Sequence, residues 1–172
     1  MEKNGAVILR NVSHGVNDIY WFILPSLLPL ILEQITAFLG VIAVFFFILG
    51  RSSDRFPRQK MLGMGFLVAS VFLVFAALMD RLGLFILCTL IAAIGVSSYH
   101  PTVHALIDET TAFRQGRAYG MFELWGSVAV FFMFFLHGLL SQKVIWRNII
   151  LITSIPGLVI GSLYFCCAGT PI

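Results

Sequence analysis

The chain has 172 residues, of which 59% are hydrophobic and 11% charged, with a mean hydropathy of +0.97 and a formal net charge of +3. This is far too apolar for a water-soluble domain of the same size, so the composition points to an all-α polytopic membrane protein embedded in the lipid bilayer. The basic residues fall in short segments between apolar runs and not on an aromatic-studded polar face, which argues against a nucleic-acid partner.

The first ten residues carry Lys3 and Arg10 but lead into Asn17 and Asp18, without the clean apolar stretch and small-residue cleavage site of a removable signal peptide. A membrane span needs roughly 20 mostly apolar residues. Six runs meet or approach that length, at 12–32, 35–50, 61–79, 82–107, 118–140 and 144–167, and predict a single six-transmembrane-helix domain over 1–172. The second run is short and only Glu33 and Gln34 punctuate its junction with the first. A single broken helix over 19–50 is the alternative, and it reverses the topology.

Between the second and third runs lies GRSSDRFPRQK at 50–60, which holds four of the eleven basic residues. Cationic side chains are retained on the cytoplasmic face. With a cytoplasmic amino terminus, Lys3, Arg10, Arg51, Arg55, Arg58, Lys60, Arg114 and Arg117 lie inside and Arg81, Lys143 and Arg147 outside, eight against three. Asp80, Arg81 and Gly83, and residues 141–143, mark external turns. The polar segment 108–117 joins spans four and five on the inner side. Cys88, Cys166 and Cys167 have no metal-type spacing and read as packing residues.

Ionisable groups inside hydrocarbon are costly and mark functional candidates. In span one, His14 and Asp18 stand four apart with Asn17 between them, on or near one helical face. Span four repeats that spacing with His100 and His104, beside Tyr99 and Pro101, and span five carries Glu123. Asp18 is eight residues from Arg10, His100 eight from Asp108 and Glu123 six from Arg117, which puts all three about 9–12 Å inside the same boundary at helical rise. A carboxylate beside an imidazole holds and releases a proton near neutral pH, as a proton-coupled carrier requires. The plain alternatives are an Asn–Asp helix cap and histidines that merely find a hydrogen-bond partner. For His137, near the outer end of span five, an interfacial position is expected.

His100 and His104 are also at a metal-compatible spacing, but HPTVH lacks the glutamate of HExxH. No metal, no cofactor and no enzymatic activity are expected. Gly116 with Gly120, and Gly157 with Gly161 behind Pro156, form GxxxG steps that allow another helix to approach closely.

These residues resemble a known family. Gly50, Asp54, Arg55, Arg58 and Lys60 are similar to the loop between helices two and three of major facilitator superfamily transporters, with Pro57 in place of the second glycine and Gln59 in place of a basic residue. HGVND at 14–18 with LPSLLPL at 24–30, GVSSYHP at 95–101 and FELWG at 122–126 resemble the fosmidomycin-resistance branch of drug exporters. The chain departs from that branch in its short first hairpin and in the proline-free run 128–136.

The resemblance implies the amino-terminal six-helix half of a twelve-helix carrier, built from two three-helix repeats. It further implies a bacterial-type inner (plasma) membrane location and efflux of a small organic molecule by antiport against protons. The half pairs with a second six-helix half or a homodimer partner. Asn17, Asp18, Tyr99, His100 and His104 then face the cavity, and with His14 and Glu123 from the ionisable layer they make up the expected proton-coupling or cavity residues. The 50–60 loop is a conformational latch whose Asp54 meets helix ends of the other half. The competing expectation is a half that transports nothing and serves as a membrane interaction module.

Overall fold

A segment crossing hydrocarbon must satisfy its backbone polar groups internally, and a helix does so within one segment. The computed structural model describes residues 4–26, 40, 43–45, 47–48, 56–110, 115–140 and 143–167, and no strand occurs among them. The helices are α1 (Asn4–Ser26), α2 (Arg58–Leu78), α3 (Leu82–Ser97), α4 (Tyr99–Thr110), α5 (Gln115–Leu140) and α6 (Trp146–Cys167). The expected second span, 35–50, falls largely outside the described residues.

Four stretches among the described residues are long and apolar enough to cross a membrane: α2, the 29-residue run of α3 and α4, α5, and α6. Although 23 residues long, α1 is not among them. Its inward face explains why: Arg10, Asn11, Ser13, His14 and Asn17 are all at most 4% exposed. The helix also begins at Asn4, ahead of the apolar run that starts at residue 12.

Local chemistry sets the boundaries. Pro57 precedes α2 with φ −56° and ψ 117°, its ring fixing the turn into the helix. Helix α2 therefore starts at Arg58 and takes Arg58 and Lys60 out of the loop into its first turn. The break between α3 and α4 falls at Ser98. Pro101 has no N–H to offer the Ser97 carbonyl one turn back, which weakens the helix there. Hydroxyls bridge the weak point, with Ser98 Oγ donating to Gly95 O at 2.8 Å and Thr102 Oγ1 to Ser98 O at 2.7 Å.

Helix α2 packs against α3 and α6, and α1 packs against α5. The core is built from Tyr20, Leu62, Phe66, Ala69, Leu73, Ala92, Val103, Ile150 and Tyr164. Small residues bring the α2 crossings to backbone contact: a Cβ on Gly95 would lie 2.5 Å from Gly65 O, and one on Gly161 would lie 3.1 Å from Gly63 O. The Gly157–Gly161 step acts as expected. The Gly116–Gly120 step does not, since no atom of the described residues lies within 4 Å of a Cβ at either position.

Two arginines tie the ends. Arg147 Nη1 donates to Ala77 O at 3.0 Å and Met79 O at 2.5 Å, satisfying carbonyls that the end of α2 leaves open, with Nη2 3.6 Å from Asp80. At the opposite end Arg58 Nη2 pairs with Glu109 Oε1 at 2.6 Å, joining α2 to α4.

Candidate functional site

The four-residue spacing in HGVND stacks His14 above Asp18 on one face of α1, with His14 Nε2 3.3 Å from Asp18 Oδ2. His14 is 1% exposed. Its other nitrogen lies 2.6 Å from the Phe122 carbonyl of α5; a carbonyl only accepts, so Nδ1–H donates. The imidazole lies flat on the Phe122 ring, centroids 3.4 Å apart and planes 5° from parallel. Glycines make room for this contact. A Cβ at Gly126 would collide with Asp18 Oδ2 and lie 2.7 Å from His14 Cε1, and one at Gly15 would lie 2.8 Å from Ala129 Cβ.

Helix α4 supplies the third ionisable group. His100 Nε2 is 3.5 Å from Asp18 Oδ1 and accepts a hydrogen bond from Asn17 Nδ2 at 3.1 Å. The side chains of His100 and Asp18 are 21% and 17% exposed, so this side of the cluster is open while the His14 side is sealed. His104 stands one turn further along α4, its ring centroid 5.9 Å from His100 and 5.5 Å from Tyr119. The Trp21 ring meets His100 edge-on at 5.8 Å.

With Nδ1–H committed to Phe122, neutral His14 turns an Nε2 lone pair toward a carboxylate oxygen. Two acceptors at 3.3 Å repel, so the pair is satisfied only when a cation lies between them. A proton on His14 Nε2 or on Asp18 meets that need. Chemically, the arrangement can accommodate a cation where three helices meet.

Four of the sequence-predicted residues, His14, Asn17, Asp18 and His100, thus meet in one place. His104 adjoins them. Tyr99 is 2% exposed and belongs to a neighbouring hydroxyl network, in which Ser13 Oγ lies 2.8 Å from Tyr99 OH and 2.9 Å from Tyr164 OH, and Tyr99 OH donates to Arg10 O. Glu123 is exposed, and it is the backbone carbonyl of its neighbour Phe122 that enters the cluster. His137, in the last turn of α5, is 5% exposed.

Gly50, Asp54 and Arg55 of the loop lie outside the described residues. Sequence reasoning gave no place in or beside the cluster to Phe122, Gly126, Ser13 or Tyr164. The first two bound the FELWG motif, so the glycine four residues after an aromatic was the available signal.

A groove of about 460 Å³ between α2 and α3 is lined by Met61, Met64, Val68 and Ile94, with Lys60 and Ser98 as its polar members. Among the described residues its lining offers no convergent set of polar groups of the kind that marks a small-molecule site.

The model of the Major Facilitator Superfamily matches residues 12–171. The chain belongs to the major facilitator superfamily. It is accordingly an integral, multi-pass membrane protein of a transporter family and not an enzyme. No curated protein and no solved structure matches the chain. The cluster described above lies where α1, α4 and α5 meet.

Proposed function

We propose that this chain is the six-helix half of a secondary active transporter that couples proton movement to export of a small organic molecule. The observation that carries the reading is the cluster of Asp18 with His14 and His100, in which a buried imidazole with a fixed tautomer faces a carboxylate across 3.3 Å. Such a pair needs a cation, and a carrier that alternately binds and releases a proton supplies one. In this reading Asp18 and His14 hold the coupling proton, His100 and Asn17 adjust to its presence, and His104 and Glu123 extend the polar path beside them. Tyr99 braces α4 against α1.

The half-transporter reading is supported by the side of the cluster on which Asp18 and His100 are partly exposed. A second six-helix half, or a second copy, closes the substrate path at that side. The amino terminus and the 50–60 loop are cytoplasmic, in a bacterial-type inner membrane, and Gly50, Asp54, Arg55, Arg58 and Lys60 form a latch against that second half. The drug-exporter resemblance supports an amphiphilic substrate.

The test is protection of a drug-sensitive host by the expressed chain against a panel of toxic organic compounds, followed by transport of the protecting compound in proteoliposomes under a pH gradient. Gradient-driven transport that falls away in Asp18→Asn and His100→Gln is the expected result. A chain that stays monomeric, protects against nothing and moves nothing would leave the interaction-module reading standing instead.

A further inference from the structure

We infer that His14, Asp18 and His100 form a binding site for a divalent transition-metal ion of the zinc type. This does not rest on transport, and a binding measurement settles it whether or not the chain moves a solute.

Zinc bound tetrahedrally by His nitrogen and carboxylate oxygen, at about 2.0–2.1 Å, places its ligand atoms roughly 3.3 Å from one another. Here His14 Nε2 to Asp18 Oδ2 is 3.3 Å and His100 Nε2 to Asp18 Oδ1 is 3.5 Å. One ligand atom from each of the three residues lies within 4.8 Å of the other two. Two imidazoles and one carboxylate suit zinc, cobalt or nickel, and not calcium or magnesium, which prefer oxygen alone.

Lone-pair direction adds an independent reason. The His14 Nδ1–H bond to the Phe122 carbonyl is the support that metal-binding histidines use, since it fixes the tautomer with Nε2 free to coordinate. At His100, the Asn17 amide N–H donates to Nε2, which therefore also carries a lone pair on this side. Three acceptors then converge. A proton between His14 and Asp18, with Asn17 donating to His100, satisfies these groups pairwise, whereas one metal ion binds all three together.

Around the ligands, His14 is sealed by the Phe122 ring, and the absent side chain at Gly126 leaves the volume that Asp18 occupies. The partial exposure of Asp18 and His100 leaves an open fourth position for water or for a donor atom of a solute. His104 is not a member: its ring stacks edge-on beside His100, toward Tyr119. Coordination would displace the Asn17 hydrogen bond from His100 and tie α1 directly to α4.

The experiment uses the full chain, purified in detergent after chelator treatment and titrated with Co²⁺ as a spectroscopic probe and Zn²⁺ as a competitor. The expected result is one Co²⁺ per chain with visible ligand-field absorption, displaced by Zn²⁺ and unaffected by excess Mg²⁺. Asp18→Asn and His100→Gln should each weaken binding by at least the roughly 10–100-fold that loss of a mere supporting partner costs a metal site. His104→Gln and His137→Gln should bind as the parent does.

Size-exclusion profile and helical circular dichroism identify any variant that fails to fold, and the parent titration with the His104 and His137 variants tests the site even then. Absence of saturable Co²⁺ binding in the parent overturns the inference. So does binding that survives in folded Asp18→Asn and His100→Gln, or that disappears in His104→Gln.

Discussion

Two helix seams in this molecule solve the same problem in opposite ways. Along α2, contacts with α3 and α6 are made by glycine backbones and apolar side chains, and hydroxyls such as Ser70 and Ser98 bond back to carbonyls of their own chain turn. Along α1, two buried polar side chains bond across helices: His14 to the Phe122 carbonyl of α5, and Asn17 to His100 of α4. Close packing makes the first seam stiff and chemically silent. The second gives up apolar contact for a cluster of ionisable groups, which is costly in a bilayer unless it serves a purpose.

The sharpest way to break this contrast is to add one side chain to each seam. In Gly95→Val the new atoms meet backbone at Gly65 and Ala69, which cannot move aside, so a loss of about 3 kcal/mol or more and failure to purify as a monodisperse protein are expected. In Gly126→Ala the obstruction is the part-exposed Asp18 carboxylate, which can turn aside, and the edge of the His14 ring, which must shift with it. Stability should fall by only about 1 kcal/mol, while gradient-driven transport drops at least tenfold. Thermal melts beside proteoliposome assays check both; equal stability losses in the two variants would erase the distinction between the seams.

A smaller effect is expected where the seams touch. Tyr20 OH lies 2.9 Å from Ser70 Oγ on α2 and donates to Ser154 O on α6 at 3.1 Å. Tyr20→Phe should cost about 1–2 kcal/mol of stability by leaving buried acceptors unpaired, with transport unchanged per folded molecule. The smallest effect is predicted for Arg58→Gln. Its partner Glu109 is 57% exposed, so the pair contributes about 0–1 kcal/mol and the melting temperature should hardly move.

What the sequence disclosed follows from how each feature is encoded. Apolar runs bounded by charge are local signals, and α2, α3 with α4, α5 and α6 fall where those runs lie. Depth counting placed Asp18 and His100 in one layer, and the structure puts them 3.5 Å apart. Counting along a helix gives depth but not azimuth, which is why Glu123 stands exposed while the carbonyl beside it carries the contact. The i, i+4 pair His100 and His104 was visible as a metal-type spacing, yet the group that converges takes His14 and Asp18 from another helix. Ligand sets assembled across helices leave no spacing in the chain. The polar inner face of α1 was legible residue by residue, but only packing shows that Arg10, Ser13, His14 and Asn17 all turn inward.

The central claim is that the α1 cluster holds the coupling cation, and Asp18→Asn tests it most directly. With the protecting compound in proteoliposomes, the variant should lose transport driven by a pH gradient by about 100-fold, because an amide cannot take up and release the proton. Exchange of labelled for unlabelled compound at equal pH on both sides should persist, since substrate binding and rocking do not need the proton to cross. Gradient-driven transport that is unchanged in Asp18→Asn would contradict the account.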